Sequence, residues 1–406
     1  MSRLLAAVHD PWLGLCLAIA LGDRLDGVVT FGGPEHAHRF EEAGVHAVLV
    51  APPSGASTLQ LLAERQATEA VTGSRLVVFK PSRRLEERAA ELGAELAHAP
   101  ATVAQGLENK LALPGIADEA GIPTLPADGF ALPAQTRIVS SPDLRASDLR
   151  ALVHATGDVV VQSPRGYMGN RTWRVASDAD WDRVLSGIGR RPVKVARHVS
   201  GRPGTVNAVV DATGATLVTA PIVQVTGEPT LTPFPMGSCG NDFTWRPAPH
   251  PGNGPAELVR RLGPVLAARG YRGHFGIDFV VEVTPRGPVT WLIEINPRLT
   301  ASMALYSAWR PVLAHAHLDA VEGRPLPRTG ELPPLPGGQL IVHNTTDADG
   351  PALGAEEAGV SVGGPALPDQ GRVVWPQVAT VVAPGATRGR VVTPGVVVDA
   401  AGDVLR

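Results

Sequence analysis

Cysteine is nearly absent: two residues, Cys16 and Cys239, stand far apart in 406, with no Cys-x-x-Cys spacing and no Cys/His pairing. That argues against a disulfide framework and a thiolate zinc site, and fits a reducing, cytoplasmic setting. Lysine is equally scarce. It stands only at Lys80, Lys110 and Lys194, although lysine and arginine together number 36. An arginine-, alanine- and proline-rich composition of this kind reflects a GC-rich genome, so a lysine retained in it is a pointer to a needed ammonium. Basic excess is missing too: charged residues are 18% and the formal net charge is -3, which gives nucleic acid or an anionic membrane no footprint. No run reaches the roughly 18 apolar residues of a membrane-spanning helix. The start, "MSRLLAAVHDPWLGLCLAIALGD", superficially suggests a signal peptide. His9-Asp10-Pro11 cuts it into a short strand (Leu4 to Val8) and a helix-like piece (Trp12 to Leu21), so a soluble strand-loop-helix entry is expected.

What is present is a 44% hydrophobic chain too long for one ordinary core, so two or three domains are expected. From residue 1 to about 100, strand-like and helix-like pieces alternate, which predicts a parallel sheet with helices packed on it. This is a Rossmann-like pattern without the G-x-G-x-x-G fingerprint; the turn after "VVTF" reads Gly32-Gly33-Pro34. In "GLENKLALPGIADEAGIPTLP", Asn109-Lys110 is expected to open a helix that Gly121 closes. A proline-rich linker follows to about Pro142. Asp158 to Val175 then reads as strand, glycine-containing loop, strand, and "PVKVARHVSGRPGTVNAVV" continues with strands. A Pro/Gly-rich stretch from Glu228 to Gly254 precedes an amphipathic helix, "GPAELVRRLGPVLAARG". Beyond about 331, valine-rich strands separated by Pro-Gly turns predict a small β unit, and no internal repeat is legible.

The segment "HFGIDFVVEVTPRGPVTWLIEINPRLTAS" reads as a hairpin. Strand residues alternate faces, so Asp278 shares one with Gly276 and Val280, and Glu294 shares one with Leu292 and Asn296. The other faces, Phe275/Ile277/Phe279/Val281 and Trp291/Ile293/Ile295, are wholly apolar and predict a core side. A turn centred near Arg286 sets Asp278 opposite Glu294 and Gly276 opposite Asn296. Like charges in directly opposed positions are destabilising, and a hard divalent cation with oxygen ligands, Mg²⁺ above all, would remove the penalty.

Gly276-Ile277-Asp278-Phe279 followed by Leu292-Ile293-Glu294-Ile295-Asn296-Pro297-Arg298 resembles the metal-binding segment of ATP-grasp enzymes, the group that includes biotin carboxylase and D-alanine–D-alanine ligase. The resemblance covers roughly residues 105 to 320. It implies a fold of α/β and α+β type: a Rossmann-like N-terminal domain (1–103), an ATP-grasp domain (104–328, lid subdomain about 130–198) and a small C-terminal β-rich unit (329–406). It implies ATP and Mg²⁺ as cofactors, with Mn²⁺ as the substitute ion. Asp278 and Glu294 would bind the metal, Asn296 would join the second ion, and Arg298 would steady the transferred phosphoryl group or the substrate carboxylate. Lys110 matches the first phosphate-contacting lysine, and "SPRGYMGNRT" matches the glycine-containing lid, where Gly166 and Gly169 would let backbone N–H groups cover phosphates.

Two positions depart from the family pattern. Gln162 stands where a second phosphate-contacting lysine is usual, so phosphate affinity would lean on Arg165 or Arg171. The usual ribose acid is replaced by Ala196 or Arg197, with Lys194 nearby expected to line the adenine pocket. The resemblance implies a ligase that activates a carboxylate and joins it to an amine, and the ending "EINPRLTAS" resembles enzymes that join amino acids or peptide-like pieces in specialised metabolism. Alternatives are a biotin-carboxylase-like activity on bicarbonate and a nucleotide-binding regulator without turnover. No dedicated base is required by phosphoryl transfer, and the pairs His36/His38 and His315/His317 read as solvated or packed. The expected partners are small-molecule carboxylates and amines rather than nucleic acid or membrane, and a homodimer is compatible with the sequence. Substrate contacts are expected from Glu228 to Gly254 and around His9 to Trp12.

Overall fold

The computed structural model describes residues 2–51, 57–124, 129–133, 136–139, 157–166, 171–188, 191–227, 235–242 and 254–334, with isolated positions and short strands elsewhere. The first 100 residues build a five-stranded parallel sheet from β1 (Leu4–Ala7), β2 (Gly27–Phe31), β3 (Ala47–Val50), β4 (Arg75–Val77) and β5 (Glu95–Leu96), in the order β3-β2-β1-β4-β5. Leu4 and Ala6 face a core that includes Leu15, Leu17 and Phe40 from the helices Pro11–Leu21 and Pro34–Glu42. Leu5 and Ala7 face a second core with Leu61, Leu62 and Leu85. Both faces are covered, which explains why these strands are unbroken apolar runs rather than alternating ones.

After β6 (Phe130–Ala131), an antiparallel four-stranded sheet forms from β7 (Arg137–Val139), β8 (Val159–Gln162), β9 (Thr172–Val175) and β10 (Val193–Arg197), in the order β7-β10-β8-β9. Val159, Val161, Val193 and Val195 pack on Trp181, Val184 and Ile188 of the helix Asp178–Ile188. Alternation therefore turns Gln162 and Lys194 to the opposite face of this four-stranded sheet.

The large sheet has nine strands: β6, β11 (Arg202–Val210), β12 (Thr216–Val218), β13 (Ile222–Thr226), β14 (Ser238–Asp242), β15 (Gly273–Thr284), β16 (Gly287–Asn296), β17 (Gly330–Glu331) and β18 (Leu340–Ile341). Its path runs β18-β14-β13-β11-β15-β16-β6, with β12 and β17 joined through β11. One face, including Val206, Ala208, Phe275 and Ile277, packs on Leu258, Leu262 and Leu266 of the helix Gly254–Ala268 and on Ile116 of Leu113–Glu119. Val209 points the other way, into the core that the first sheet shares with Met303, Leu305 and Leu313 of the helices Ala301–Trp309 and Val312–Val321. Arg24–Asp319 (3.0 Å) and Arg75–Glu322 (2.7 Å) join the same two regions at their rim.

Farther on, Ala366–Asp369 pairs with Arg372–Val374, Ala379–Val381 with Arg390–Val392, and Val397–Val398 with Val404–Leu405, each antiparallel. Among the described residues no helix is long and apolar enough to cross a membrane.

Candidate active site

The hairpin closes on a two-residue turn, Pro285-Arg286, with Thr284 opposite Gly287. Counted from that turn, Phe279 pairs with Leu292, and a regular ladder would next set Asp278 against Ile293 and bury Glu294 opposite Ile277. A β-bulge intervenes between Asp278 and Phe279: Ile293 is the extra residue, and beyond it Asp278 pairs with Glu294 and Gly276 with Asn296. The acids are opposed, as the sequence predicts. The expected apolar face of the second strand is corrected, because the inserted residue reverses alternation along the strand. Leu292 and Ile295 face the core with Phe275, Ile277 and Phe279, whereas Trp291 and Ile293 lie on the opposite side with Val280, Val289 and Val199.

Burial and the Glu294 carboxylate push Asp278 up to about 6, against hydrogen bonds from Thr205 and Asn296 that lower it. Asn296 Nδ2 donates to Asp278 Oδ2 at 3.0 Å, and Lys110 Nζ donates to Glu294 Oε1 at 2.7 Å. Lys110 does not open a helix. The helix Ala101–Glu108 has ended and the next, Leu113–Glu119, has not begun. Pro114, at home only in a helix's first turn, sets that later start. The intervening turn is fixed by Lys110 N–H to Pro164 O (3.0 Å) and by Leu111 N–H to Asn109 Oδ1 (3.0 Å).

Arg298 is held from two sides, with Nε 3.1 Å from Glu108 Oε1 and Nη2 2.9 Å from Asn296 Oδ1. The same Glu108 oxygen receives Lys80 Nζ at 2.7 Å. Burial alone would raise the Glu108 carboxyl, but Arg298 and Lys80 outweigh it and hold it below the usual range. Sequence reasoning missed Glu108 and Lys80, although lysine scarcity was a usable signal: Lys80, Lys110 and Lys194 all reach this one site. Beneath Arg298, its carbonyl lies 2.7 Å from His274 Nδ1, and Asn207 Oδ1 lies 3.2 Å from the ring's Nε2. His274 N–H donates to His317 Nδ1 at 3.0 Å, and the His98 ring is centred 4.9 Å from that of His317. Burial holds His274 and His317 at about 3, and His98 well below its ordinary value.

On the four-stranded sheet, Gln162 and Lys194 are directly paired across β8 and β10. Lys194 Nζ leaves that sheet and donates to Ile293 O of the large sheet at 2.8 Å. Burial lowers Lys194 to about 7; Glu294 works against the shift and Lys110 with it. Arg165 and Gly166 follow β8, and Arg171 precedes β9 with a left-handed backbone (φ 66) while its carbonyl accepts from Ser163 N–H at 3.1 Å. Gly169 lies outside the described residues, as does most of Glu228 to Gly254. At one of the two positions that replace the family's ribose acid, Arg197 forms a two-pronged pair with Glu282 (2.9 and 3.2 Å) over the Trp291 ring. In the N-terminal loop, Asp10 Oδ1 accepts from Leu13 N–H (3.1 Å) and His9 Nδ1 lies 3.1 Å from Thr58 Oγ1.

No protein-family model matches the chain, and no curated protein matches its sequence. Solved structures match in shape. The complex of biotin carboxylase with βγ-ATP from Campylobacter jejuni superposes with a TM-score of 0.58 at 12% identity, over 80% of this chain and 72% of that one. The chain has the ATP-grasp fold. Carboxyaminoimidazole ribonucleotide synthase from Aspergillus clavatus, complexed with ATP, matches over 97% of this chain and 94% of its own, with a TM-score of 0.55 and 17% identity. Phosphoribosylamine–glycine ligase from Thermotoga maritima covers 85% and 82%, with a TM-score of 0.56 and 14% identity. At such identities an ATP-grasp likeness carries architecture, and the chemistry has to be argued from the residues. The donor set fits a hard divalent ion: two opposed, half-buried carboxylates stand beside the Asn296 amide, whose Nδ2 faces Asp278 and whose Oδ1 faces Arg298. Among the described residues no group of three or more His, Cys, Asp or Glu side chains forms a metal cage. Mg²⁺ is commonly bound by one or two carboxylates with substrate phosphates completing the shell, and two acids suffice for that mode.

Proposed function

We propose that the protein is an ATP-dependent carbon–nitrogen ligase that activates a carboxylate as an acyl phosphate and joins it to an amine, releasing ADP and phosphate. The observation that carries this reading is the directly opposed, half-buried pair Asp278 and Glu294, with Asp278 pushed up to about 6, in an ATP-grasp fold. Asp278, Glu294 and the Asn296 amide oxygen would hold Mg²⁺ or Mn²⁺, which when bound neutralises phosphate charge in phosphoryl transfer. Lys110, now on Glu294, is positioned to turn to a phosphate when a cation takes over that carboxylate. Arg298, pre-set by Glu108 and Asn296, would steady the transferred group or the substrate carboxylate. Gln162, Arg165, Gly166 and Gly169 belong to the lid side of the nucleotide site. In this reading residues 1–103 are a Rossmann-like domain preceding the ATP-grasp domain (104–328), and 329–406 form a β-rich unit.

The test is an ADP-release screen with Mg²⁺ over amino acids, other carboxylates and bicarbonate, with hydroxylamine present to trap acyl phosphates. Hydroxamate formation supports the ligase, and turnover on bicarbonate alone would replace it by a carboxylase. ATP binding with no ADP release on any acid would leave a non-catalytic nucleotide binder, a reading to which Gln162 and the Arg197–Glu282 pair lend some support.

A further inference from the structure

Lys194 is 3% exposed and Gln162 5%, and they stand side by side on the face of the lid sheet turned away from its own core. Among the described residues the one hydrogen bond of the Lys194 ammonium is to the Ile293 carbonyl, a neutral acceptor. Two of its three donors are left for something else. That carbonyl belongs to the bulge residue, beside Glu294, and Glu294 already carries Lys110. Two ammonium groups from different sheets therefore flank one segment, residues 293–294, and only one of them has a carboxylate in contact. If capping the bulge carbonyl were the whole purpose, a neutral amide would serve without the cost of burying a charge. Gln162 next to it is such an amide and contributes no charge.

We infer that Lys194 supplies the lid-side cation for the phosphates of the bound nucleotide, facing Lys110 on the other side, so that the charge absent at Gln162 comes from the neighbouring strand. This rests on the nucleotide site proposed above and assigns Lys194 to the phosphates rather than to the adenine.

The test is calorimetric titration of the full chain with Mg²⁺ and a non-hydrolysable ATP analogue, and separately with adenosine, which has no phosphates. Lys194→Met should weaken the analogue roughly 10- to 100-fold, the range of one charge-assisted hydrogen bond, while adenosine affinity stays unchanged. Lys194→Arg should keep most of the affinity, and adding Gln162→Lys to Lys194→Met should recover most of the loss. Retained adenosine binding also reports that the variant is folded. Equal weakening of analogue and adenosine, or no weakening of either, overturns the assignment. A wild-type chain that binds neither ligand overturns the nucleotide site itself, whereas a wild-type chain that binds and a Lys194→Met variant that binds as well sinks only this inference.

Discussion

Glu108 gathers Lys80 and Arg298 onto one buried carboxylate oxygen, so its charge matters more than its shape. Glu108→Gln leaves two cations around a neutral amide, and the expected loss is about 3 kcal/mol in urea unfolding, as for other broken buried pairs. Equal stability would mean that solvent, not Glu108, balances Arg298. The buried histidines His98, His274 and His317 make a second prediction. Each has its folded value depressed by burial, so the native state favours the neutral ring. Stability from these groups is complete above about pH 6.5 and is lost as pH falls, at about 1.4 kcal/mol per pH unit for each ring. Asp278 works in the opposite sense, since its raised value relieves a penalty as pH falls toward 4. The comparison is therefore made between proteins: from pH 7 to pH 5, His317→Gln should lose roughly 2 kcal/mol less stability than wild type. None of these contacts was legible from spacing. Glu108 and Arg298 are 190 residues apart, and His274 and His317 are 43 apart, so only the scarcity of lysine hinted at convergence.

At the scale of the element, the hairpin was legible because apolar and polar residues alternate on β15 and a Pro-Arg turn divides it from β16. The bulge was not, because one inserted residue leaves no compositional mark; Ile293 is an ordinary strand residue. Its effect is nonetheless large: Trp291 and Leu292 exchange the faces that simple alternation gives them, and the Ile293 carbonyl becomes the acceptor for Lys194. The neighbouring strand β11 adapts to the hairpin at Gly204, where a Cβ would lie 2.6 Å from the Phe279 ring and 3.0 Å from the Ile222 carbonyl. Gly204→Ala should cost about 2 kcal/mol, the middle of the range for overpacked cores. Combining it with Phe279→Leu should cost less than the two changes summed, because the second removes the ring that the first collides with. Strict additivity would show that the two sites do not touch.

For the whole molecule, the parallel first sheet and the strands of the large sheet followed from the alternation of sequence patterns, while the way they join did not. The helices Pro11–Leu21, Ala301–Trp309 and Val312–Val321 share one core, so the first hundred residues and the large sheet should unfold together. The four-stranded sheet has a separate core of valines around Trp181. Its β8 and β10 amides should exchange with deuterium faster than those of β1 and β11, and binding of Mg²⁺ with a non-hydrolysable ATP analogue should slow that sheet selectively. Uniform exchange across both cores would contradict that division. The central claim, that Asp278 and Glu294 form a metal and phosphate site in a working ligase, is tested most directly by Mg²⁺-dependent ADP release from Asp278→Asn and Glu294→Gln beside the wild type. At least about a hundredfold loss in each variant, with thermal unfolding intact, is the predicted result; ADP release unchanged in either one would contradict it.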